Sequence, residues 1–569
     1  MKKYLKHLMA TGVALAGIMG GVALSSCGGA KDKNLTGTMT VKATAKTLEI
    51  TCGIKDPDNI VNKGSARVAV YTYDDNNTPD DKSDDKETLV ENKTFSDIPN
   101  DDNTLETEVI NNLKINQDYL LKFYCTYSDQ THIFEETHYK TTSKGQSEDN
   151  PIEISTADQL FNMTSDLTAY YKLVDDIDVT KYSQYNETNG VSPIFSSSKI
   201  FEGSFDGNGH KIKGFNQKGS NQYQYSGVFG YIGENGKVEN LIIEDPVVSY
   251  TRSSTVYYGA VAGYNKGEIS NVDVTNANLT YTVTTTSTQS PAYCGGFVGL
   301  NEGTITNSSI EGVISSTYRG KVVIGGFVGT NMKKISDSKA SVDISLAYGT
   351  SSSSVEIVTF DVGGFAGNSD GSITNSIATG SLDINYSFTA TNTSINKYIP
   401  HNLGGFIGLY NGGIIKGCVV DEDITFTSSQ SLITNLGVFS GSISTGLNPQ
   451  AFKSNVVIGN SNTINITLLD KDGKYNYERN IPSDTDENKT EMTDRKFNFG
   501  LFNTLDEKYF ENFYKEHDMF ALEGTLSITL DATDYAKASL TKENEFSANY
   551  KDLTLSEYVL KYIESAIVK

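Results

Sequence analysis

Tryptophan is absent from the sequence, cysteine occurs five times, and 47 Lys and Arg residues stand against 70 Asp and Glu residues. So few cysteines in 569 residues exclude a disulfide-dense scaffold. The formal net charge of −23 disfavours DNA, RNA and anionic lipid headgroups as main partners. Glycine (51), tyrosine (33) and phenylalanine (25) are abundant, which favours β-structure with many turns over a disordered acidic tail. The length argues for two to four folding units.

Sequence signals for catalysis are also lacking. There is no glycine-rich phosphate loop followed by Lys and Ser or Thr. Asp206 and His210 lie in an Asp-Gly-Asn-Gly-His segment, and Asp-Gly-Asn-Gly is first of all turn chemistry. The best carboxylate cluster consists of Asp175, Asp176 and Asp178. We therefore predict no catalytic residue, no metal site and no cofactor.

The first residues are predicted to be a targeting segment. A basic start precedes an apolar stretch from Leu8 to Leu24, so residues 1–26 are excluded from the fold prediction. The stretch ends in Leu24-Ser25-Ser26-Cys27, which resembles the bacterial lipobox. That resemblance implies cleavage before Cys27 and lipid chains on its thiol, which would hold the protein to a membrane. A plain transmembrane anchor is the alternative, and residues 27–35 are predicted to be a flexible tether.

Residues 36–145 are predicted to form a first domain. Alternation of apolar and polar side chains predicts strands over 47–54, 67–73 and 118–127. Their order resembles a fibronectin type III or immunoglobulin-like sandwich, in which Tyr119 would be the tyrosine-corner residue that bonds back to the chain. The resemblance places Cys52 and Cys125 on facing strands, where they would form a disulfide or remain buried free thiols. The acidic segment 74–85 is predicted to be a solvated loop, with a Ca²⁺ site as the alternative.

Internal repeats occupy residues from about 226 to 460. Seven copies share a Gly-x-apolar-x-Gly core, whose final glycines are Gly230, Gly263, Gly299, Gly329, Gly367, Gly408 and Gly441. The cores carry phenylalanine in most copies, among them Phe297, Phe327, Phe365 and Phe406. Six residues beyond the glycine stands Ile269, Ile305, Ile335, Ile373 or Ile414. Two residues later an Asn or Asp follows in most copies, whereas Lys416 breaks this position in the sixth.

Short strands at fixed positions, separated by loops of variable length, are typical of a solenoid. Stacked copies would place like residues above like, so we expect one inward column of phenylalanines and another of isoleucines. The asparagines would bond turn backbone and one another along a ladder. Parallel coils of this kind predict a β-helix with right-handed crossovers.

The recurring glycine core, usually followed by x-Asn-x-Gly-x-Ile-x-Asn, resembles the GLUG-motif family over about 235 residues. The resemblance implies a secreted or surface protein. Some members are adhesins, and others are peptidases whose catalysis lies in another domain. It supplies no catalytic residue.

The predicted fold is mainly β: an N-terminal β-sandwich, a parallel right-handed β-helix or solenoid, and a small α/β C-terminal cap. The β-helix is predicted over 150–465, beginning with a short strand and a capping helix over 151–160 and first coils over 173–178 and 201–215. Residues 466–569 are predicted to be the cap, with helices over 505–515 and 555–568, or alternatively a separate small domain.

Together these features predict a bacterial, non-catalytic cell-surface protein, held to the membrane by lipid on Cys27, whose β-solenoid adheres to an extracellular protein or glycan. Exposed tyrosines such as Tyr223, Tyr225, Tyr257 and Tyr258 would supply contact area at low entropic cost, although ordinary sheet-face packing also accounts for them. A β-helix polysaccharide lyase or glycoside hydrolase is the alternative. A two-lobed α/β solute-binding lipoprotein is disfavoured by the repeats.

Overall fold

The computed structural model divides the chain into two compact units, residues 1–152 and 153–569. It describes residues 35–43, 46–74, 86–99, 105–141, 143–220, 223–252, 255–283, 291–318, 321–348, 360–386, 401–428, 434–443, 451–458, 463–468, 475–476, 495–502, 520–523 and 527–531. The predicted signal peptide, Cys27, most of the acidic segment 74–85 and the two predicted C-terminal helices lie outside these residues.

The first unit is built from two antiparallel sheets. Its strands are β1 (Thr36–Ala43), β2 (Leu48–Lys55), β3 (Ala66–Asp74), β4 (Lys86–Phe95), β5 (Glu106–Ile110), β6 (Asp118–Tyr127) and β7 (Gln130–Lys140). One sheet has the order β1-β2-β5 and the other β4-β3-β6-β7. Buried side chains from strands of both sheets form a single hydrophobic core. The three strands predicted from alternation correspond to β2, β3 and β6, because each has one apolar face directed into that core.

Tyr119 and the two cysteines of this unit lie in its core. The Tyr119 hydroxyl accepts a hydrogen bond of 2.8 Å from the backbone N–H of Lys114, which is the contact predicted for a tyrosine corner. Cys52 and Cys125 are both buried free thiols in this structure, which is the second of the two predicted alternatives. Burial raises the pKa of both thiols, that of Cys125 to about 12, and keeps them in the uncharged form.

The second unit begins with the predicted strand and capping helix. Strand β8 (Ile152–Ile154) precedes helix α1 (Ala157–Phe161). Thr156 and Gln159 form a capping box at its start, since the Thr156 hydroxyl accepts from the Gln159 N–H and the Gln159 side chain accepts from the Thr156 N–H. Two 3-10 turns, Asn162–Ser165 and Val179–Lys181, follow.

Parallel strands follow through the described part of this unit. The early coils contain β9 (Tyr170–Leu173), β10 (Ile177–Asp178), β11 (Ser204–Asp206), β12 (Lys211–Lys213), β13 (Asn216–Ser220), β14 (Tyr225–Ser226), β15 (Gly230–Ile232), β16 (Lys237–Glu244), β17 (Val247–Arg252), β18 (Val256–Tyr258), β19 (Ala262–Asn265) and β20 (Glu268–Val283). The middle coils contain β21 (Ala292–Gly295), β22 (Val298–Asn301), β23 (Thr304–Thr306), β24 (Ser309–Tyr318), β25 (Val322–Gly325), β26 (Val328–Asn331), β27 (Lys334–Ser336) and β28 (Lys339–Tyr348).

The later coils contain β29 (Phe360–Gly363), β30 (Ala366–Ser369), β31 (Ser372–Thr374), β32 (Ile377–Tyr386), β33 (His401–Gly404), β34 (Ile407–Tyr410), β35 (Ile415–Lys416), β36 (Val419–Ser428), β37 (Thr434–Ile443), β38 (Phe452–Lys453), β39 (Asn455–Ile458), β40 (Thr463–Leu468), β41 (Tyr475–Asn476), β42 (Arg495–Phe502), β43 (Phe520–Glu523) and β44 (Ser527–Asp531). Strands β42, β43 and β44 pair in parallel with β37, β39 and β40. The parallel pairing therefore continues past the predicted boundary at residue 465.

A middle coil supplies two strands to each of two parallel sheets. In one such coil, β21 and β22 lie in one sheet, here called the second sheet, and β23 and β24 lie in the other, the first sheet. Each strand pairs with its equivalent in the next coil, as β24 does with β28 from Ser309↔Lys339 to Tyr318↔Tyr348. Like residues consequently lie above like residues, and the second unit is a solenoid-like stack of parallel coils, as predicted.

The predicted inward columns are present. Phe297, Phe327, Phe365, Phe406 and Phe439 are fully buried and stack with ring centroids 4.6–4.9 Å apart. Val238, Ile269, Ile305, Ile335 and Ile373 form the second column, since each pairs with the next in register. The repeat glycines lie where no side chain fits: a Cβ on Gly299, for example, would lie 2.6 Å from the backbone nitrogen of Tyr258.

Two assignments within the repeats were wrong by one residue. Ile414 is 48% exposed, and Ile415 instead pairs with Ile373 and fills the column. The cause is one extra residue between Tyr410 and Ile415, because Tyr410 pairs with Ser369, which stands only four positions before Ile373. In the first repeat, Gly230 pairs with Ala262 rather than Gly263, and the register shifts at the next residue.

Candidate binding surface

Asparagine and aspartate side chains connect neighbouring coils at a corner in the first sheet. Asn240, Asn271, Asn307, Asp337 and Asn375 all have positive φ angles of 45–53°. Asn271 donates to Asn240 over 3.1 Å, Asn307 to Asn271 over 2.6 Å, and Asn375 to Asp337 over 3.1 Å. These side chains hold the corner, which is a structural role.

The sixth coil keeps this corner with a glycine. Because of the extra residue described above, Gly417 and not Lys416 occupies the position, with a φ of 65°. Ser454 (φ 54°) continues the column in the next coil.

The carboxylate cluster considered for catalysis serves turns. The Asp176 carboxylate accepts from the Lys211 N–H (3.0 Å) and contacts His210 (3.2 Å), and the Asp206 carboxylate accepts from the Asn208 N–H (2.8 Å). Hydrogen bonds from Lys211 and His210 lower the pKa of Asp176, and hydrogen bonds from Asn240 and Asn208 outweigh burial to lower that of Asp206. A general acid needs a raised pKa, so these groups are poorly suited to that role.

Asp175 and Asp178 also serve turns. The Asp178 carboxylate accepts from both the N–H and the hydroxyl of Thr180, which lowers the pKa of Asp178. The Asp175 carboxylate accepts from the N–H of Asp176. Within the described parts of the chain, no three His, Cys, Asp or Glu side chains converge to hold a metal ion. Cys294 and Cys418 are buried free thiols.

Tyrosines cluster on the outward side of the second sheet. Tyr225, Tyr257 and Tyr293 pair in register across β14, β18 and β21, whereas their strand neighbours, such as Val256, Tyr258 and Cys294, point into the core. Tyr231 and Tyr264 pair across β15 and β19. All five are half-buried. We call this set, Tyr225, Tyr231, Tyr257, Tyr264 and Tyr293, the tyrosine array.

The array forms two contiguous rows of rings. In the first row, Tyr257 stacks on Tyr225 and on Tyr293, each with centroids 5.2 Å apart and interplanar angles of 10° and 7°. In the second row, Tyr231 and Tyr264 stack at 4.8 Å. Tyr225–Tyr231 (5.0 Å) and Tyr257–Tyr264 (5.6 Å) join the rows. In the next two coils the positions that pair with Tyr293 are occupied by Val323 and Asp361, both buried. The row of tyrosines therefore ends at Tyr293.

Charged side chains border the second row. Lys266 Nζ lies 5.5 Å from the Tyr264 ring centroid and 3.6 Å from Glu302. Burial raises the pKa of Tyr264, and a hydrogen bond with Glu302 adds to it. Burial also raises the pKa of Tyr257, to about 12, with Tyr293, Tyr225 and Glu302 contributing. Both hydroxyls therefore stay protonated at neutral pH, and that of Tyr264 is already hydrogen-bonded to Glu302.

The sequence prediction found this surface only in part. Tyr225 and Tyr257 belong to it, but Tyr258 is fully buried, stacked at 5.1 Å on Tyr281 inside the coils. Tyr231, Tyr264 and Tyr293 were missed. Aligning the repeat copies on their final glycines would have identified these tyrosines. Tyr257 and Tyr293 each stand six residues before that glycine. Tyr231 and Tyr264 each stand directly after it.

Comparison with known proteins gives partial similarity. No protein-family model matches the chain. A Gly-rich membrane protein from Evansella cellulosilytica is 38% identical over 130 residues, 22% of this chain and 14% of that protein. Halomucin from Haloquadratum walsbyi is 32% identical over 132 residues, 22% of this chain and 1% of halomucin. The similarity thus spans a small part of either relative. Among the described residues, no helix has the length and hydrophobicity needed to cross a membrane.

Proposed function

We propose that this is a lipid-anchored bacterial cell-surface protein of the GLUG-motif type. It displays a parallel β-solenoid for non-catalytic adhesion to an extracellular protein or glycan. The observation that carries the proposal is the tyrosine array, since half-exposed tyrosines held in place offer large contact area at low entropic cost. The names of the two partial relatives, a membrane protein and a halomucin, support a place at the membrane or cell surface.

The finer architecture belongs to the same proposal. The first unit acts as a fibronectin type III or immunoglobulin-like spacer, for which the two antiparallel sheets and the Tyr119 contact provide support. The coils wind with the right-handed crossovers expected of parallel strands. The last part of the chain caps the open edge of the final coil.

Adhesion is tested by exposing the full chain, in detergent, to an array of extracellular matrix proteins and glycans. Retention and product release are read on the same spots. We expect retention of a defined ligand without cleavage. Released unsaturated or reducing sugar ends would contradict the proposal and favour a glycan lyase or hydrolase.

Anchoring is tested by replacing Cys27 with Ser and fractionating cells. The unaltered chain is expected in the membrane fraction with metabolically incorporated fatty acid. The Cys27→Ser chain is expected to incorporate no fatty acid, and Cys294→Ser, at a buried cysteine, serves as the control. Equal fatty-acid labelling of the unaltered chain and Cys27→Ser would exclude lipidation at this residue.

A further inference from the structure

The stacking of the tyrosine array determines which parts of its rings a ligand can reach. Within each row the ring faces lie against one another, at 5.2 Å for Tyr257 with both of its row neighbours. Tyr257, which is stacked on both faces, therefore presents its ring edge and hydroxyl group outward. Sugars commonly pack their C–H faces on an open aromatic face, and Tyr257 offers none.

The stacking also means that the surface is formed before any ligand arrives. Each ring of the array has a stacking partner, and three stacked pairs have centroid distances between 4.8 and 5.2 Å. Fixing flexible side chains on binding costs free energy, and prior ordering of the rings removes that cost. A rigid patch of this kind has the properties of a protein-binding hot spot, where tyrosine is enriched.

The charge around the array is acidic. Glu302 directly follows β22, the Glu202 carboxylate accepts from the Asn235 N–H over 2.8 Å, and Glu234 is exposed in the turn after β15. All three carboxylates add to the raised pKa of Tyr231, of which burial is the main cause and which Lys266 opposes. The Lys266 ammonium is itself paired with Glu302. Three carboxylates against one paired ammonium thus leave a negative rim, in a chain of formal net charge −23. A cationic partner complements this rim, whereas a neutral sugar gains nothing from it.

We propose, on the basis of the adhesive function proposed above, that the tyrosine array binds a lysine- and arginine-rich segment of an extracellular protein. The aromatic edges and hydroxyls of Tyr225, Tyr257 and Tyr293 supply the contact area. Glu302, with Glu202 and Glu234, supplies the charge that selects basic side chains. Protonated tyrosine hydroxyls donate to backbone carbonyls of the bound segment.

The probe for this proposal is a fluorescent peptide of alternating Lys and Arg, titrated by polarisation against the full chain. A neutral β-glucan oligosaccharide is titrated in parallel. Tyr257→Ala is expected to weaken peptide binding about 30-fold, the effect of losing a hot-spot side chain, and Glu302→Gln about tenfold. Rising NaCl should weaken binding further, because the rim is solvent-exposed.

Matched controls separate the array from bulk charge. Glu311→Gln removes one exposed carboxylate from the first sheet, and Tyr170→Ala removes a half-buried tyrosine outside the array. Both should change the affinity less than twofold. Tyr231→Phe deletes only a hydroxyl and keeps the ring stack. A loss of peptide affinity in this variant therefore does not arise from altered folding.

The outcomes distinguish this inference from the proposed function. Equal losses in Glu302→Gln and Glu311→Gln would mean that only bulk charge attracts the peptide, and would overturn the inference. Oligosaccharide binding that Tyr257→Ala abolishes would also overturn it, while supporting adhesion to glycans. If the peptide does not bind but the chain is retained on a matrix protein or glycan, the peptide inference is rejected and the adhesive function stands. If neither assay shows binding, the peptide inference and the adhesive function are both rejected.

Discussion

A carboxyl group inside the solenoid, that of Glu422, is the clearest consequence of chemistry at a single residue. Its side chain is 1% exposed, at a position of β36 that pairs with Gly380 of β32. Burial raises its pKa well above the ordinary range, and the nearby carboxylates of Asp343, Asp421 and Asp423 raise it further. The folded protein therefore holds a proton that the unfolded chain releases.

This raised pKa gives the stability a predictable pH dependence. The stabilisation is complete below about pH 4.3, the ordinary glutamate pKa, and is lost as the pH rises towards the raised folded-state pKa. We expect Glu422→Gln to reduce the fall in unfolding free energy over this range by up to about 1.4 kcal/mol per pH unit. Urea unfolding between pH 5 and 8 measures this dependence of the unfolding free energy on pH. The exposed Glu311→Gln should keep the slope of the unaltered chain; an unchanged slope in Glu422→Gln would contradict the assignment.

A buried amide ladder gives a second prediction for one residue. Asn265 donates to Asn301 over 2.8 Å, Asn301 donates to Asn331 over 3.0 Å, and all three are fully buried. Asn301→Ala leaves buried partners unsatisfied and should cost roughly 1–3 kcal/mol for each group. Asn278→Ala, at an exposed position of β20, should stay within about 0.5 kcal/mol. Equal effects in thermal unfolding would show that the ladder adds no stability.

At the scale of elements, the register of β35 makes two adjacent isoleucines unequal. Ile415 is fully buried and pairs with Ile373 and Phe452, whereas its neighbour Ile414 is 48% exposed. Ile415→Ala should therefore cost about 2–5 kcal/mol through the cavity that it leaves. Ile414→Ala should change stability by less than about 0.5 kcal/mol. Denaturant unfolding of the two variants checks the register. A larger loss of stability in Ile414→Ala would show that Ile414, as predicted from the regular spacing, fills the column.

The same region shows how far sequence reasoning reaches. Glycine cores and periodic isoleucines were sufficient to predict stacked parallel coils, because like residues must superpose for each coil to bury its apolar face. Counting residues from Gly408 failed, because a turn absorbs an extra residue without moving the strands around it. Whether a strand tyrosine faces inward or outward depends on local register, so Tyr257 and Tyr258 could not be told apart.

At the scale of the whole molecule, the chain has two units with separate cores. Phe123 is fully buried in the first, between Phe95 (6.3 Å) and Phe134 (5.4 Å), and Phe365 is fully buried in the phenylalanine column of the second. Two units with their own cores do not unfold as one cooperative system. Calorimetry of the full chain should accordingly show more than one transition.

Substitution in each core assigns those transitions. Phe123→Ala should destabilise the first unit by about 3–5 kcal/mol and leave the solenoid transition in place, because the cavity lies among residues of the first unit alone. Phe365→Ala should do the reverse, with the loss spreading to the adjacent coils, since coil stability depends on neighbours. Hydrogen exchange followed on peptides from β6 and β30 reports each unit separately. A shift of both transitions in either variant would mean that the two units fold as one, and the solenoid would then depend on its N-terminal partner for stability.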